Sequence, residues 1–221
     1  MTRAIFVRHG ESASNAHPQL AALPTQEGDR LTALGRDQAR AAVPALAAMS
    51  PTALICSPMG RARETAELIG QEMGMEVTEL DYISELRESR DYASMSPEEQ
   101  KLRRWSSWMV EHGDDPDFSW QGGESFEQVR GRVRRLKDEL ERDHDGGRPL
   151  IVSHGLFLRF FLFDSLFGDA FGPAQAGRLW YLRSVNCGVS VFEQGERWHS
   201  ADADTPGWTC VSWMARPWDP P

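Results

Sequence analysis

The chain of 221 residues carries 24 lysine and arginine residues against 33 aspartate and glutamate residues, a formal net charge of −9. Because so acidic a surface repels nucleic-acid phosphates, general nucleic-acid binding is disfavoured, and an anionic substrate must be small enough for a local cluster of cations. The three cysteines are too scattered for a disulfide scaffold, and the most apolar stretch, at 156–163, is far too short to span a membrane. We therefore expect a cytoplasmic protein that binds neither nucleic acid nor membrane.

Short apolar segments alternate with longer amphipathic ones along the chain, which is typical of an α/β fold. Strands are predicted at 4–7, 53–56, 76–80, 149–152 and 185–192. Helices are predicted over 34–49, 57–73 and 96–111, from a cap at Ser125 to about 143, and after Gly155. A turn at 194–196 predicts a partner strand at 197–201, and the tail from Asp202 has no predicted structure.

Basic and imidazole side chains follow three of these predicted strands. Arg8 and His9 follow the first, Arg61 comes shortly after the second, and His154 follows the strand at 149–152. Because ligands in open α/β sheets bind beyond the carboxyl ends of the strands, we expect these four side chains to share one cleft. The strand at 76–80 leads to 85–88, which adds carboxylates to the rim.

Two arginines and two histidines that converge on one point suit a phosphate. Guanidinium groups match its oxygens in bidentate fashion, and neighbouring cations keep an imidazole neutral and nucleophilic. A carboxylic acid at the rim would protonate the departing oxygen and later deprotonate a water molecule. Fixed cations would meet the developing charge, so we expect no metal and no cofactor.

The first of these segments, Arg8-His9-Gly10-Glu11-Ser12-x-x-Asn15, resembles the opening motif of the histidine phosphatase superfamily, also called phosphoglycerate mutase-like. Further segments resemble the other motifs of that family in the same order: Leu31-Thr32-x-Leu34-Gly35-x-x-Gln38-Ala39, Ser57-x-x-x-Arg61-Ala62-x-x-Thr65-Ala66, Leu86-Arg87-Glu88, Gly122-Gly123-Glu124-Ser125 and Ser153-His154-Gly155.

The resemblance implies a role for each matching residue. His9 would carry the phosphoryl group as a phosphohistidine, and Glu88 would be the proton donor, with nearby Glu85 as the second choice. The phosphoryl group would be held by a set of pocket residues, namely Arg8, Arg61, His154, Asn15 and Gly155.

The resemblance also implies a fold: a three-layer α/β/α sandwich with a mostly parallel sheet, as one domain over 1–221. Helices within about 89–147 would form a lid-like insertion over the cleft. The apolar stripe at 126–140 predicts core or dimer packing, so a homodimer stays open.

The function predicted on this basis is hydrolysis of a small phosphorylated metabolite by a metal-independent, histidine acid phosphatase-type phosphomonoesterase. A phosphoglycerate mutase-type phosphotransferase using the same pocket is the alternative, and a non-catalytic phosphate-binding module is the third. After Glu88 the chain reads Ser89-Arg90-Asp91-Tyr92, which matches neither the glycine and tryptophan–glutamate pair of many family phosphatases nor the arginine, histidine, tyrosine and glycine run of the mutases. The absence of the mutase run favours water over a second substrate as the phosphoryl acceptor.

Overall fold

The computed structural model describes residues 1–17, 28–88, 95–96, 99, 111–119, 122–195 and 207–216. Its strands are β1 (Arg3–Arg8), β2 (Ala53–Cys56), β3 (Val77–Glu79), β4 (Pro149–Ser153), β5 (Val189–Gly195) and β6 (Gly207–Ala215). Its α-helices are α1 (Ala13–Ala16), α2 (Ala33–Ala48), α3 (Gly60–Met73), α4 (Phe126–Asp143), α5 (Gly155–Phe167) and α6 (Pro173–Ala176). Short 3-10 turns lie at Asp81–Ile83, Gly168–Ala170 and Leu179–Tyr181.

The described strands form one six-stranded sheet in the order β3-β2-β4-β1-β5-β6. The first four strands of that order are parallel, and β5 runs antiparallel to both β1 and β6. The predicted α/β class with a mostly parallel sheet is therefore confirmed. Because β1 and β4 are adjacent and parallel, the residues that follow them emerge side by side at the same edge of the sheet.

Alternate residues of the strands face two separate hydrophobic clusters. In β1, Ala4 and Phe6 pack with the apolar residues of α4 and α5, whereas Ile5 and Val7 pack with those of α2 and α3. Since side chains alternate across a strand, a sheet with apolar residues on both faces needs a helical layer on each side. The structure thus has the three layers that the sequence predicts.

The helix caps follow from the sequence. Thr32 accepts a hydrogen bond from the amide of Gly35 at 3.0 Å and begins α2, and Ser125 forms a capping box with Gln128 at the start of α4. Such a cap contributes about 1 kcal/mol, because it satisfies an amide that has no partner within the helix. By contrast, α3 begins at Gly60 rather than at 57, and its N-cap residue, Met59, provides no side-chain cap.

The position of α4 differs from the expectation of a lid. Its apolar stripe from Phe126 to Leu140 is buried, and the helix packs against α5 in the layer that covers one face of the sheet. This helix is therefore part of the sandwich, because its buried residues belong to the hydrophobic cluster that includes Phe6 and Phe192 of the sheet. Most of the helix predicted over 96–111 lies outside the described residues.

The C-terminal part also differs in detail from the prediction. The strand expected from 185 begins at Val189, because the preceding residues turn around the end of β1, with Cys187 at a φ of 53°. Its described partner is β6, within the tail that has no predicted structure, whereas the strand predicted at 197–201 lies outside the described residues. In the parts of the chain that the structure describes, no helix has both the length and the apolar character needed to cross a bilayer.

Candidate active site

His9 directly follows β1 and is buried, with 2% of its surface exposed. Its Nδ1 lies 2.7 Å from the carbonyl oxygen of Gly10. Since a carbonyl oxygen only accepts, Nδ1 carries the proton and Nε2 carries the lone pair. Arg61 donates its Nε–H to this Nε2 at 3.1 Å, so the nucleophilic nitrogen faces a guanidinium group.

The imidazole of His9 is held in its neutral form. Burial is the largest cause that lowers its pKa well below the usual value of 6.5, and the charges of Arg61 and Arg8 lower it further. The hydrogen bond to Gly10 opposes this shift. The sequence predicts the neutral state from the neighbouring cations alone, whereas the structure adds desolvation as the dominant effect.

Arg61 is the second residue of α3, and a distant carboxylate fixes its position. Asp29 accepts the amide of Gly60 at 2.6 Å and the Nη1–H of Arg61 at 2.6 Å. Asp29 therefore replaces the missing side-chain cap of α3 and also orients the guanidinium group that faces His9.

His154 is the N-cap residue of α5 and is fully buried. Its Nε2 lies 2.8 Å from the hydroxyl of Ser57, and its ring centre lies 5.2 Å from that of His9. Burial, followed by the charge of Arg61, lowers its pKa well below 6.5, so this imidazole is neutral as well.

Three buried polar atoms near the start of α5 have no hydrogen-bond partner among the described residues: Arg8 Nε, His154 Nδ1 and Ser184 Oγ. Arg8 is held by its Nη1, which donates to the carbonyl oxygen of Ser184 at 2.8 Å. A Cβ on Gly155 would lie 2.8 Å from Ser184 Oγ and 3.4 Å from Arg8 Nε. Because buried polar groups are almost always paired, these atoms are candidates to bind the oxygens of an anion.

Asn15 lies in α1, next to the loop that carries His9. Its Oδ1 accepts a hydrogen bond at 3.0 Å from Asn186, whose amide group also donates to the carbonyl oxygen of His9 at 3.0 Å. Asn186 thus connects the segment before β5 to the end of β1. Neither Asn186 nor Ser184 stands in one of the sequence motifs described above, so the motifs did not predict them.

The two candidate acids have different surroundings. Glu85 accepts the amides of Leu156 at 3.3 Å and Phe157 at 3.2 Å, so it caps α5 as Asp29 caps α3. Glu88 is exposed and is the last described residue before 89–94. Glu85 is thus a helix cap as well as a candidate acid, whereas Glu88 stands at the third position of the Leu86-Arg87-Glu88 motif.

A model of the histidine phosphatase superfamily (branch 1) matches residues 4–202, which is most of the chain. The chain belongs to the histidine phosphatase superfamily. Curated relatives named "Probable phosphoglycerate mutase GpmB" share about a third of its residues. The protein from Yersinia enterocolitica is 32% identical over 200 residues, covering 89% of this chain and 86% of the relative. The one from Photorhabdus laumondii is 34% identical over 195 residues, covering 86% and 84%.

Solved structures share the fold of this histidine phosphatase. A mycobacterial glucosyl-3-phosphoglycerate phosphatase in complex with VO3 superposes with a TM-score of 0.72 at 22% identity, over 97% of this chain and 99% of that chain. A phosphoserine phosphatase from Entamoeba histolytica in complex with 3-phosphoglyceric acid gives a TM-score of 0.73 at 19% identity, over 99% of both chains.

The structure explains the histidine phosphatase motif at 31–39 as a support for the loop that follows His9. The Thr32 hydroxyl donates to a side-chain oxygen of Glu11 at 2.7 Å, and the Gln38 side chain accepts the amide of Glu11 at 2.9 Å. A Cβ on Gly35 would lie 2.0 Å from the carbonyl oxygen of Glu11, and a Cβ on Gly10 would lie 2.4 Å from that of Gly35. Only glycine allows this close approach of two main chains.

Proposed function

We propose that this histidine phosphatase hydrolyses a small phosphorylated metabolite through a phosphohistidine on His9, without a metal ion. The observation that carries this proposal is the state of His9. Its imidazole is buried and neutral, its proton is fixed on Nδ1 by Gly10, and its Nε2 faces the Arg61 guanidinium. A neutral imidazole with a defined tautomer is a competent nucleophile toward phosphorus.

In the first half-reaction, the lone pair of His9 Nε2 attacks phosphorus and forms a P–N bond. The bond between phosphorus and the ester oxygen breaks, and the departing oxygen takes a proton from Glu88. In the second half-reaction, Glu88 removes a proton from water, the resulting hydroxide attacks phosphorus, and the P–N bond breaks. His9 returns to its neutral form, and inorganic phosphate leaves.

The proposed ligands of the phosphoryl group are the donors around His9. Arg61 gives up its hydrogen bond to His9 Nε2 and donates to phosphoryl oxygens instead. The remaining phosphoryl oxygens bind to Arg8 Nε and His154 Nδ1, which have no other partner among the described residues. Gly155 leaves the space that these oxygens need beside Arg8, and Asn15 holds Asn186 against the His9 carbonyl. Such preorganised donors supply most of the electrostatic stabilisation that a charged transition state requires.

The names of the similar proteins support a small substrate. The two solved structures described above are named as phosphatases of glucosyl-3-phosphoglycerate and of phosphoserine, which are both small phosphomonoesters. The curated relatives favour the second candidate, a phosphoglycerate mutase-type transferase, because of their name. In that reaction, 3-phosphoglycerate would take the phosphoryl group from His9 in place of water.

The decisive experiment compares wild type with His9→Ala and His144→Ala on 4-nitrophenyl phosphate, with and without a chelator. His144 is a matched control, since it lies before β4 at the opposite edge of the sheet. We expect full activity for wild type and His144→Ala in the chelator, and a loss of at least about 10³-fold for His9→Ala. Activity that depends on a metal, or that survives in His9→Ala, would refute the proposal.

A trapping experiment separates the phosphatase from the mutase. Wild type is labelled with a ³²P phosphomonoester, and the label on the enzyme is chased with water alone or with 3-phosphoglycerate. Release as inorganic phosphate at the same rate in both chases supports the phosphatase. Faster release in the presence of 3-phosphoglycerate, with the label recovered in a bisphosphoglycerate, would support the mutase instead.

A further inference from the structure

The segment from Tyr82 to Arg87, which leads to Glu88, is tied to the core of the molecule at several points. The hydroxyl of Ser153, the last residue of β4, donates to the carbonyl oxygen of Ile83 at 2.8 Å. Glu85 is attached to the first turn of α5 by the two amides described above. This segment is therefore a fixed structure over most of its length, although it contains no strand or α-helix.

A buried ion pair between Glu124 and Arg132 makes the strongest of these attachments. Arg132, on α4, donates through Nε and Nη2 to the two oxygens of Glu124, both at 2.9 Å. Its Nη1 donates to the carbonyl oxygens of Tyr82 at 2.7 Å and Ser84 at 2.8 Å. The two side chains are only 17% and 10% exposed, so this bidentate pair is shielded from solvent.

Glu124 also holds the residue directly before Glu88. A carboxylate oxygen of Glu124 accepts the amide of Arg87 at 2.8 Å, and the amide of Glu124 donates to the carbonyl oxygen of Arg87 at 2.9 Å. Both polar groups of the Arg87 main chain are thus fixed. The planar peptide bond joins the Arg87 carbonyl to the nitrogen and Cα of Glu88. The position of the Glu88 Cα is therefore set by this contact.

We infer that Glu124 and Arg132 are positioning residues, which hold the carboxyl group of Glu88 where it transfers a proton to the leaving oxygen. This inference rests on the proposed role of Glu88. A general acid must approach the oxygen within hydrogen-bond distance, and a displacement of about 1 Å costs about 10²-fold in rate. The Glu124–Arg132 pair supplies that precision, because it fixes the main-chain carbonyls of residues 82 and 84 and the amide of Arg87 in one cluster.

The test is the dependence of kcat/KM on the leaving group, because only a poor leaving group needs a proton. Glu124→Gln places an amide N–H group against the N–H groups of Arg132 and Arg87. Arg132→Lys removes the planar guanidinium group that binds both oxygens of Glu124. We expect both variants to lower kcat/KM by about 10- to 100-fold for an alkyl phosphate and by less than threefold for 4-nitrophenyl phosphate. Glu88→Gln should show the same dependence more strongly.

The matched control is Arg134→Gln. Arg134 lies two residues from Arg132 on the same helix, and it pairs with Asp164 and Asp169 away from the 82–88 segment. We expect this variant to change stability without changing the leaving-group dependence. Thermal unfolding of every variant identifies any that fails to fold, and Glu124→Asp, which keeps the charge, serves as the milder substitution.

A double variant distinguishes positioning from a general loss of structure. If Glu124 acts through Glu88, then Glu124→Gln lowers kcat/KM for the alkyl phosphate by less than about twofold in a protein that already carries Glu88→Gln. Multiplicative losses in the double variant, or equal losses on both substrates, would overturn the inference. It is also overturned if Glu88→Gln leaves the leaving-group dependence unchanged. Residual activity of His9→Ala, in contrast, is the result that rejects the proposed function itself.

Discussion

The helices α3 and α5 begin in the same way and present two different kinds of proposed phosphate ligand, Arg61 and His154. Each starts with a glycine, Gly60 or Gly155, and each has its first amides capped by a carboxylate from a distant loop. At α3 the carboxylate of Asp29 also binds the ligand itself, the Arg61 guanidinium. At α5 the ligand is the neutral ring of His154, which is held by Ser57.

This difference shows how a single pocket combines positive charge with an interior that excludes water. A guanidinium group keeps its charge at any working pH, but it needs a counter-ion to hold it when it is partly buried. A neutral imidazole needs no counter-ion when it is buried, so the ring of His154 can lie deeper in the pocket than a guanidinium group and still be close to His9. The α3 side therefore provides the charge, and the α5 side provides hydrogen bonds in a desolvated setting.

Removal of the two ligands gives the largest expected difference between the sides. Arg61→Ala removes a charge and leaves Asp29 unpaired, so we expect kcat/KM for 4-nitrophenyl phosphate to fall by about 10³-fold or more. His154→Ala removes a neutral hydrogen-bonding group and should cost about 10²-fold. Arg63→Ala, two residues along α3 and half exposed, is the control and should change little. Equal losses at Arg61 and His154 would contradict the comparison.

The two capping carboxylates should also differ in their effect on catalysis. Asp29→Asn weakens the hold on the Arg61 guanidinium, and we expect kcat/KM to fall by about 10- to 100-fold. Glu85→Gln keeps an oxygen for one amide of α5 and removes only one negative charge near Arg8, so its loss should stay below about fivefold. Steady-state kinetics on the two variants side by side checks this order, and a larger loss in Glu85→Gln would reverse our interpretation.

The two first-turn glycines differ in what an added methyl group would meet. A Cβ on Gly60 would lie 2.9 Å from the main-chain oxygen of Asp29, which cannot rotate away, whereas a Cβ on Gly155 would meet the rotatable Ser184 hydroxyl. We expect Gly60→Ala to cost about 1–3 kcal/mol in the free energy of unfolding, and Gly155→Ala less than about 1 kcal/mol. In Gly131→Ala, where a Cβ would meet nothing within 4 Å, a gain of about 0.5–1 kcal/mol serves as control.

His154 should contribute to the pH dependence of stability in addition to His9. The pKa of His154 is lowered on folding, so the unfolded chain binds the proton more readily. The contribution of His154 to the free energy of unfolding is fully present above the unfolded-state pKa of about 6.5, and it is lost as the pH falls below that value. Urea unfolding between pH 7.5 and 5 should therefore show a slope that is shallower in His154→Asn than in wild type. The difference should reach about 1.4 kcal/mol per pH unit below 6.5 and vanish above it. Parallel curves would show that His154 is not held neutral.

Much of this fold could be predicted because its signals are local and regular. The apolar runs of β1, β2 and β4 and the caps at Thr32 and Ser125 specify elements by themselves. The convergence of side chains after β1 and β4 then follows from parallel pairing alone. Nothing in that pattern, however, shows whether α4 lies over the cleft or on the sheet, because its apolar stripe suits either position.

The supporting residues of the site could not be predicted in the same way. Asp29, Ser184 and Asn186 act from loops, where no periodicity tells which side chain points inward. Asp29 does stand two residues before the motif at 31–39, and that nearness to a recognised motif is the signal that could have drawn attention to it. For the hydroxyl of Ser184 we find no such signal in the sequence.

The place of β1 in the sheet has a consequence for biosynthesis. Ile5 pairs on one side with Leu150 and on the other with Val191. At about 5–20 residues per second, the ribosome needs roughly 10–40 s between making Ile5 and making its last neighbour. Until Leu150 has been made, the strand that leads to His9 has neither of its neighbours, so the cleft beyond its end cannot assemble before most of the chain has been translated.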